Sequence, residues 1–252
     1  MRKFWLATST VLALSLSAAL AAPAKEDTAV AKSEMTSVHS YILLDRTGSM
    51  SGIWDEALNS VNAYAKSVGE EKDGEADIET KVSLAVFDAQ DGLQFDVLRK
   101  GVAAEEWPAV TNDEASPRGM TPLYDAIGRL VSMAEIDGPE KAVLVVMTDG
   151  AENASREMTG VGAKAALDRA RARGWEVVFL GAEFANFSDA ESVGVSGRKQ
   201  LAVGAGQFSA TMDRLAKKSR AYAVEAEGAP IIFDEEDRQV ADEEGVKRRK
   251  GQ

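Results

Sequence analysis

The chain has 252 residues, 45% of them hydrophobic, and a formal charge of −12. That length and apolar content suit one full-sized domain with short extensions. The absence of cysteine excludes disulfides, thiolate metal sites and thiol catalysis. An acidic chain is also a poor ligand for the phosphates of nucleic acid.

The N-terminus reads as an export signal. Arg2 and Lys3 precede an apolar stretch from Phe4 to Leu20, and Ala19-Leu20-Ala21 fits a small-x-small cleavage pattern. The stretch is short and hydroxyl-bearing for a membrane span. The expectation is a signal peptide over 1–21, no stable membrane span after cleavage, and a bacterial periplasmic or secreted protein. Residues 22–36 lack apolar periodicity and read as a linker.

From Val38 onward strands and helices alternate. Val38 to Leu44 predicts the first strand, and Asp45-Arg46-Thr47-Gly48-Ser49-Met50 follows it as a loop. His39, the only histidine, reads as an edge or surface residue at the strand's start, and a lone histidine excludes paired-histidine catalysis. Apolar residues at helical spacing predict a helix over 53–68, with Trp54 packed into the core and Gly69 ending it. Two strands, 81–87 and 93–98, are joined by a connection too short for a crossover, so they form an antiparallel hairpin. Residues 101–118 read as irregular.

A second helix begins at Thr121 or Pro122, where proline suits the first turn. Ala142 to Met147 is an unbroken apolar run, as in a central parallel strand covered on both faces. A third helix spans 159–173. A strand over 175–180, a short helix near 186–193, a strand over 200–203 and a helix over 207–224 follow. Pro230 to Phe233 predicts a last short strand, and 234–252 reads as a charged, disordered tail. Its basic run, Lys247 to Lys250, reads as a solvated end. The Gly160-Val161-Gly162 run formally matches a dinucleotide fingerprint, but it lies well past the preceding strand and reads as chance.

This alternation predicts an α/β fold, a Rossmann-like three-layer sandwich with a mostly parallel sheet and one antiparallel edge strand. In such sheets ligands bind outside the carboxyl ends of the strands. Asp45, Thr47 and Ser49 follow one strand there, Asp149 follows another, and Thr121 opens a helix at the same edge. Singly, each of these residues could serve as a helix cap or turn. Together they cluster hard oxygens that suit a small divalent cation.

The three segments resemble the von Willebrand factor type A (VWA) domain and its metal-ion-dependent adhesion site, over about residues 38–226, within a domain expected over 37–233. The family pattern is Asp-x-Ser-x-Ser, then a distant Thr and a distant Asp. The chain departs from it at Thr47, which keeps the hydroxyl and adds a methyl. The resemblance implies a metal site of Asp45, Thr47, Ser49, Thr121 and Asp149, holding Mg²⁺, with Mn²⁺ or Ca²⁺ as substitutes. It also implies a non-enzymatic binding protein whose protein or peptide partner completes the metal shell with an acidic side chain. Glu152 and Asn153 are further candidates for the rim. Two alternatives stand beside this reading. One is a metal-dependent phosphatase, weakened because Thr47 stands where a second aspartate is needed. The other is a metal-free envelope scaffold.

Overall fold

The computed structural model describes residues 36–70, 77–182, 187–225 and 229–250. The expected signal peptide over 1–21 and nearly all of the expected linker lie outside these residues. Six strands form one sheet: β1 (Thr36–Asp45), β2 (Ile78–Ala89), β3 (Leu93–Ala103), β4 (Ala142–Thr148), β5 (Glu176–Ala182) and β6 (Gln200–Val203). Their order is β3-β2-β1-β4-β5-β6. All neighbours run parallel except β2 and β3, the antiparallel hairpin. The expected three-layer α/β sandwich is the observed one.

The two faces of the sheet are covered by different helices. On β1, Val38, Ile42 and Leu44 join α1 (Trp54–Gly69) and α5 (Phe208–Val224) in one apolar core. Tyr41 and Leu43 join α2 (Leu123–Asp137) and α3 (Gly160–Ala172) in the other. Strict alternation on a strand buried on both sides accounts for its continuous apolar run. One polar link crosses the first core. The Tyr64 hydroxyl lies 2.7 Å from Ser40 Oγ and donates to Ser219 Oγ at 2.9 Å, tying α1 to β1 and α5. Gly69 does more than end α1: a Cβ there would lie 2.9 Å from the backbone of Ala104, so only glycine permits this close approach.

Several expectations change. The hairpin strands are longer than predicted, and β3 runs to Ala103, into the stretch expected to be irregular. The second helix starts at Leu123, so Thr121 lies before it and does not cap it. His39 is neither an edge nor a surface residue, because β1 is central and the side chain is buried. Residues 230–233 form no strand, although Ile231 and Phe233 are buried.

The expected disordered tail forms two helices, α6 (Glu235–Val240) and α7 (Glu243–Lys250), after the short α4 (Ser188–Ser192) and α5. The physical reason is a reciprocal capping box between Asp234 and Asp237, together with burial of Ala241 and Val246. The tail also closes the β6 edge. Gly204 N–H donates to Ala241 O at 2.8 Å, and Glu243 Oε1 accepts Ala202 N–H at 3.4 Å.

Candidate functional site

All five candidate residues meet at the carboxyl edge of the sheet. Asp45 is the last residue of β1 and Asp149 follows the last residue of β4, its neighbour. After Asp45 the chain makes a 3-10 turn over Gly48–Gly52, which carries Ser49 outward. Asp45 is fully buried, and both its oxygens are engaged. Oδ1 accepts Thr47 N–H at 2.7 Å and Oδ2 accepts the Thr148 hydroxyl at 2.7 Å. Ser49 Oγ donates to Asp149 Oδ1 at 2.7 Å and lies 3.1 Å from Thr47 Oγ1. A methyl on Gly150 would sit 3.1 Å from Thr121 Oγ1 and 3.7 Å from Ser49 Oγ. The glycine thus leaves the floor between these hydroxyls open.

Thr121 arrives on a strap, residues 118–121, laid across the ends of β1 and β2. Arg118 N–H donates to Arg46 O at 2.7 Å, and Gly48 N–H donates to Gly119 O at 3.3 Å. Met120 and Ala89 exchange both backbone hydrogen bonds, at 2.9 and 3.2 Å. Gly119 has φ +70°, and a Cβ there would lie 2.4 Å from Ala89 O. No other residue fits this position without moving the strap.

Below the strap, Asp88 accepts from Arg46 Nε at 2.7 Å and from Arg118 Nε at 3.1 Å, while Arg46 also reaches Asp96 at 2.6 Å. Asn153 holds the other side, accepting Thr121 N–H at 2.9 Å and donating its own N–H to Thr121 O at 3.0 Å. Glu152 lies further back, accepting the N–H groups of Tyr124, Ala154 and Ser155. Sequence reasoning reached Asn153 and Glu152 but missed Thr148, Arg46, Asp88 and Arg118. A buried-strand threonine and an ion pair between strand ends carry no local signature.

The metal expectation fails on this donor set. Among the described residues there is no group of three or more His, Cys, Asp or Glu side chains that could hold a metal ion. The site itself brings two carboxylates, Asp45 and Asp149. Asp45 is spent on internal bonds, and the hydroxyls of Thr47 and Ser49 turn toward each other and toward Asp149. Burial also pushes the carboxyl of Asp45 up to about 6 and that of Asp149 upward. An adhesion-type site with Mg²⁺, Mn²⁺ or Ca²⁺, and cation-dependent capture of an acidic partner through it, are therefore corrected. This donor set does not suit a divalent ion. The same geometry bears on the phosphatase alternative, because a buried carboxylate with both oxygens bonded is not presented to a substrate.

No protein family and no curated protein matches the chain. Solved structures do match its fold. The pilus adhesin SpaC from Lactobacillus rhamnosus GG is 14% identical, with a TM-score of 0.54 over 75% of this chain and 31% of its own. The vWF domain of the type V pili tip protein Mfa5 from Porphyromonas gingivalis is 11% identical, with a TM-score of 0.54 over 77% and 99%. Proximal thread matrix protein 1 from the mussel byssus is 15% identical, with a TM-score of 0.51 over 73% and 46%. The chain spans less than half the length of SpaC and of the byssus protein. Identities this low speak to the fold alone, which resembles that of VWA-type domains.

Proposed function

We propose that the chain is an exported, non-catalytic protein-binding module. Its contact surface is the carboxyl edge of the sheet, and it binds by direct contact without a bridging cation. The observation that carries the reading is Met120. It is 54% exposed on a strap fixed by backbone hydrogen bonds on both sides, directly before Thr121. An adaptable apolar side chain on a fixed backbone, beside a floor of hydroxyls, offers a partner an anchor and a polar surround with the backbone already ordered before binding. Ser49 adds an exposed hydroxyl to the same rim. The domain is taken to begin at residue 37, with the N-terminal segment serving export. Among the described residues no helix is long and apolar enough to cross a membrane.

The test is capture from native cell-envelope extracts, with cross-linking to locate the contact. Met120→Lys is compared with Ile136→Lys, since Ile136 is 81% exposed at the other end of the helix that Met120 precedes. Met120→Lys should weaken capture roughly ten-fold, equivalent to about 1.4 kcal/mol, and Ile136→Lys should leave it unchanged. Equal capture by both variants would place the contact elsewhere. Turnover in a phosphatase and esterase screen, abolished by Asp45→Asn, would replace the reading with an enzymatic one.

A further inference from the structure

The opposite edge of the sheet holds a closed ring of polar contacts. Across the hairpin, Val82 pairs with Val102 and Leu84 pairs with Arg99. Ser83 therefore faces two residues, Lys100 and Gly101, in a β-bulge of edge strand β3. Gly101 has φ +59°. Its N–H donates to Ser83 Oγ at 2.8 Å, a side-chain bond within the bulge. The same Oγ lies 2.9 Å from His39 Nε2, and a Cβ on Gly101 would lie 3.6 Å from His39 Cε1. The His39 ring stacks on Tyr41 with centroids 4.0 Å apart, and the Tyr41 hydroxyl donates to Asp137 Oδ2 at 3.2 Å. Lys100 reaches Asp137 Oδ1 at 3.2 Å, which returns the ring to the bulge.

Proton accounting gives this ring a direction. Ser83 Oγ already accepts the Gly101 N–H, so its own proton is free for a neutral His39 Nε2, with the ring proton assigned to Nδ1. Protonation at Nε2 reverses that bond. Ser83 must then accept from both Nε2–H and Gly101 N–H, while its own proton loses its acceptor in a fully buried position. The charged groups facing His39 are Asp137 on α2, which favours the imidazolium, and Lys81 on β2 and Lys100 on β3, which oppose it. Its own strand adds the neutral phenol of Tyr41. Burial outweighs Asp137 and lowers the imidazole to about 4.

We propose that His39 is a proton-operated latch on edge strand β3: neutral, it holds the Lys100–Gly101 bulge through Ser83, and protonated, it releases the strand's carboxyl end. The device is independent of the partner surface at the other edge. It is tested by amide exchange of the purified protein, followed by NMR between pH 7 and pH 3.5, with the His39 ring titrated in the same samples. The protection factors of Gly101, Val102 and Ala103 should fall at least ten-fold, with a midpoint that follows the His39 ring, while the β4 amides stay protected. In His39→Gln, which keeps an acceptor for Ser83 but takes no proton, protection at 101–103 should be flat with pH. Flat protection in the wild type would overturn the latch. So would a fall that tracks β4, or one that persists in the glutamine variant. The wild-type midpoint comparison stands by itself if the variant does not fold.

Discussion

The two ends of strand β1 bury titratable groups in opposite ways. At the amino end, His39 is tied to β2 through Ser83 and stacks on Tyr41 of its own strand, and the contacts close on themselves. At the carboxyl end, Asp45 anchors a loop from beneath, and the chain above it opens toward solvent at Ser49 and Met120. Burial drives both groups toward neutrality, the imidazole down to about 4 and the carboxyl up to about 6. One strand thus supplies a closed polar latch at one edge and the support of an exposed rim at the other. Burial of a polar residue does not by itself mark function. What separates the two ends is whether the polar groups above it still face outward.

The largest expected effect that sharpens this contrast is the pH dependence of stability. His39 has a native value below its unfolded value of 6.5, so the unfolded chain binds the proton more tightly. Its contribution is therefore present above pH 6.5 and is lost as pH falls through the window from 6.5 to about 4. The shift corresponds to about 3 kcal/mol. Denaturant unfolding of wild type and His39→Gln across that window should show a steeper slope in the wild type. Parallel curves would remove the distinction between the two ends.

A smaller effect comes from the same substitution made at both ends. Ser83→Ala removes the partner of both Gly101 N–H and His39 Nε2, and should cost about 2 kcal/mol. Ser49→Ala removes hydrogen bonds at a solvent-facing position, and should cost less than about 1 kcal/mol. Equal costs would mean that the carboxyl rim is as much a part of the core as the amino latch.

Much of this architecture is legible in the sequence. The apolar runs 41–44 and 142–147 mark the two central strands, and a five-residue connection forces the hairpin. The order of Asp45, Thr121 and Asp149 along the chain brings them to one edge, as observed. Spacing reveals that hydroxyls and carboxylates converge, but not which way they point, so it could not show Ser49 bonded to Asp149 or Asp45 spent on Thr47 and Thr148. His39 was unreadable for a related reason, since its burial depends on β1 lying between β2 and β4. The α6 and α7 helices were hidden by their charge. Their low hydrophobicity resembles a disordered tail, although the Asp234–Asp237 capping pair was present as a signal.

The most direct test of the account is thermal unfolding with and without a divalent cation. At the carboxyl edge Asp45 and the Ser49–Asp149 pair are engaged by hydrogen bonds within the chain, beneath an exposed rim for which direct, cation-free contact is proposed. A cation held with a Kd of about 0.1 mM, supplied at about 10 mM, would add about 2.7 kcal/mol. That would raise Tm by roughly 5–10 °C in a domain of this size. Mg²⁺ or Mn²⁺ should shift Tm by less than about 1 °C, equally in wild type and in Asp149→Asn. A saturable rise of several degrees that EDTA reverses and Asp149→Asn abolishes would contradict it.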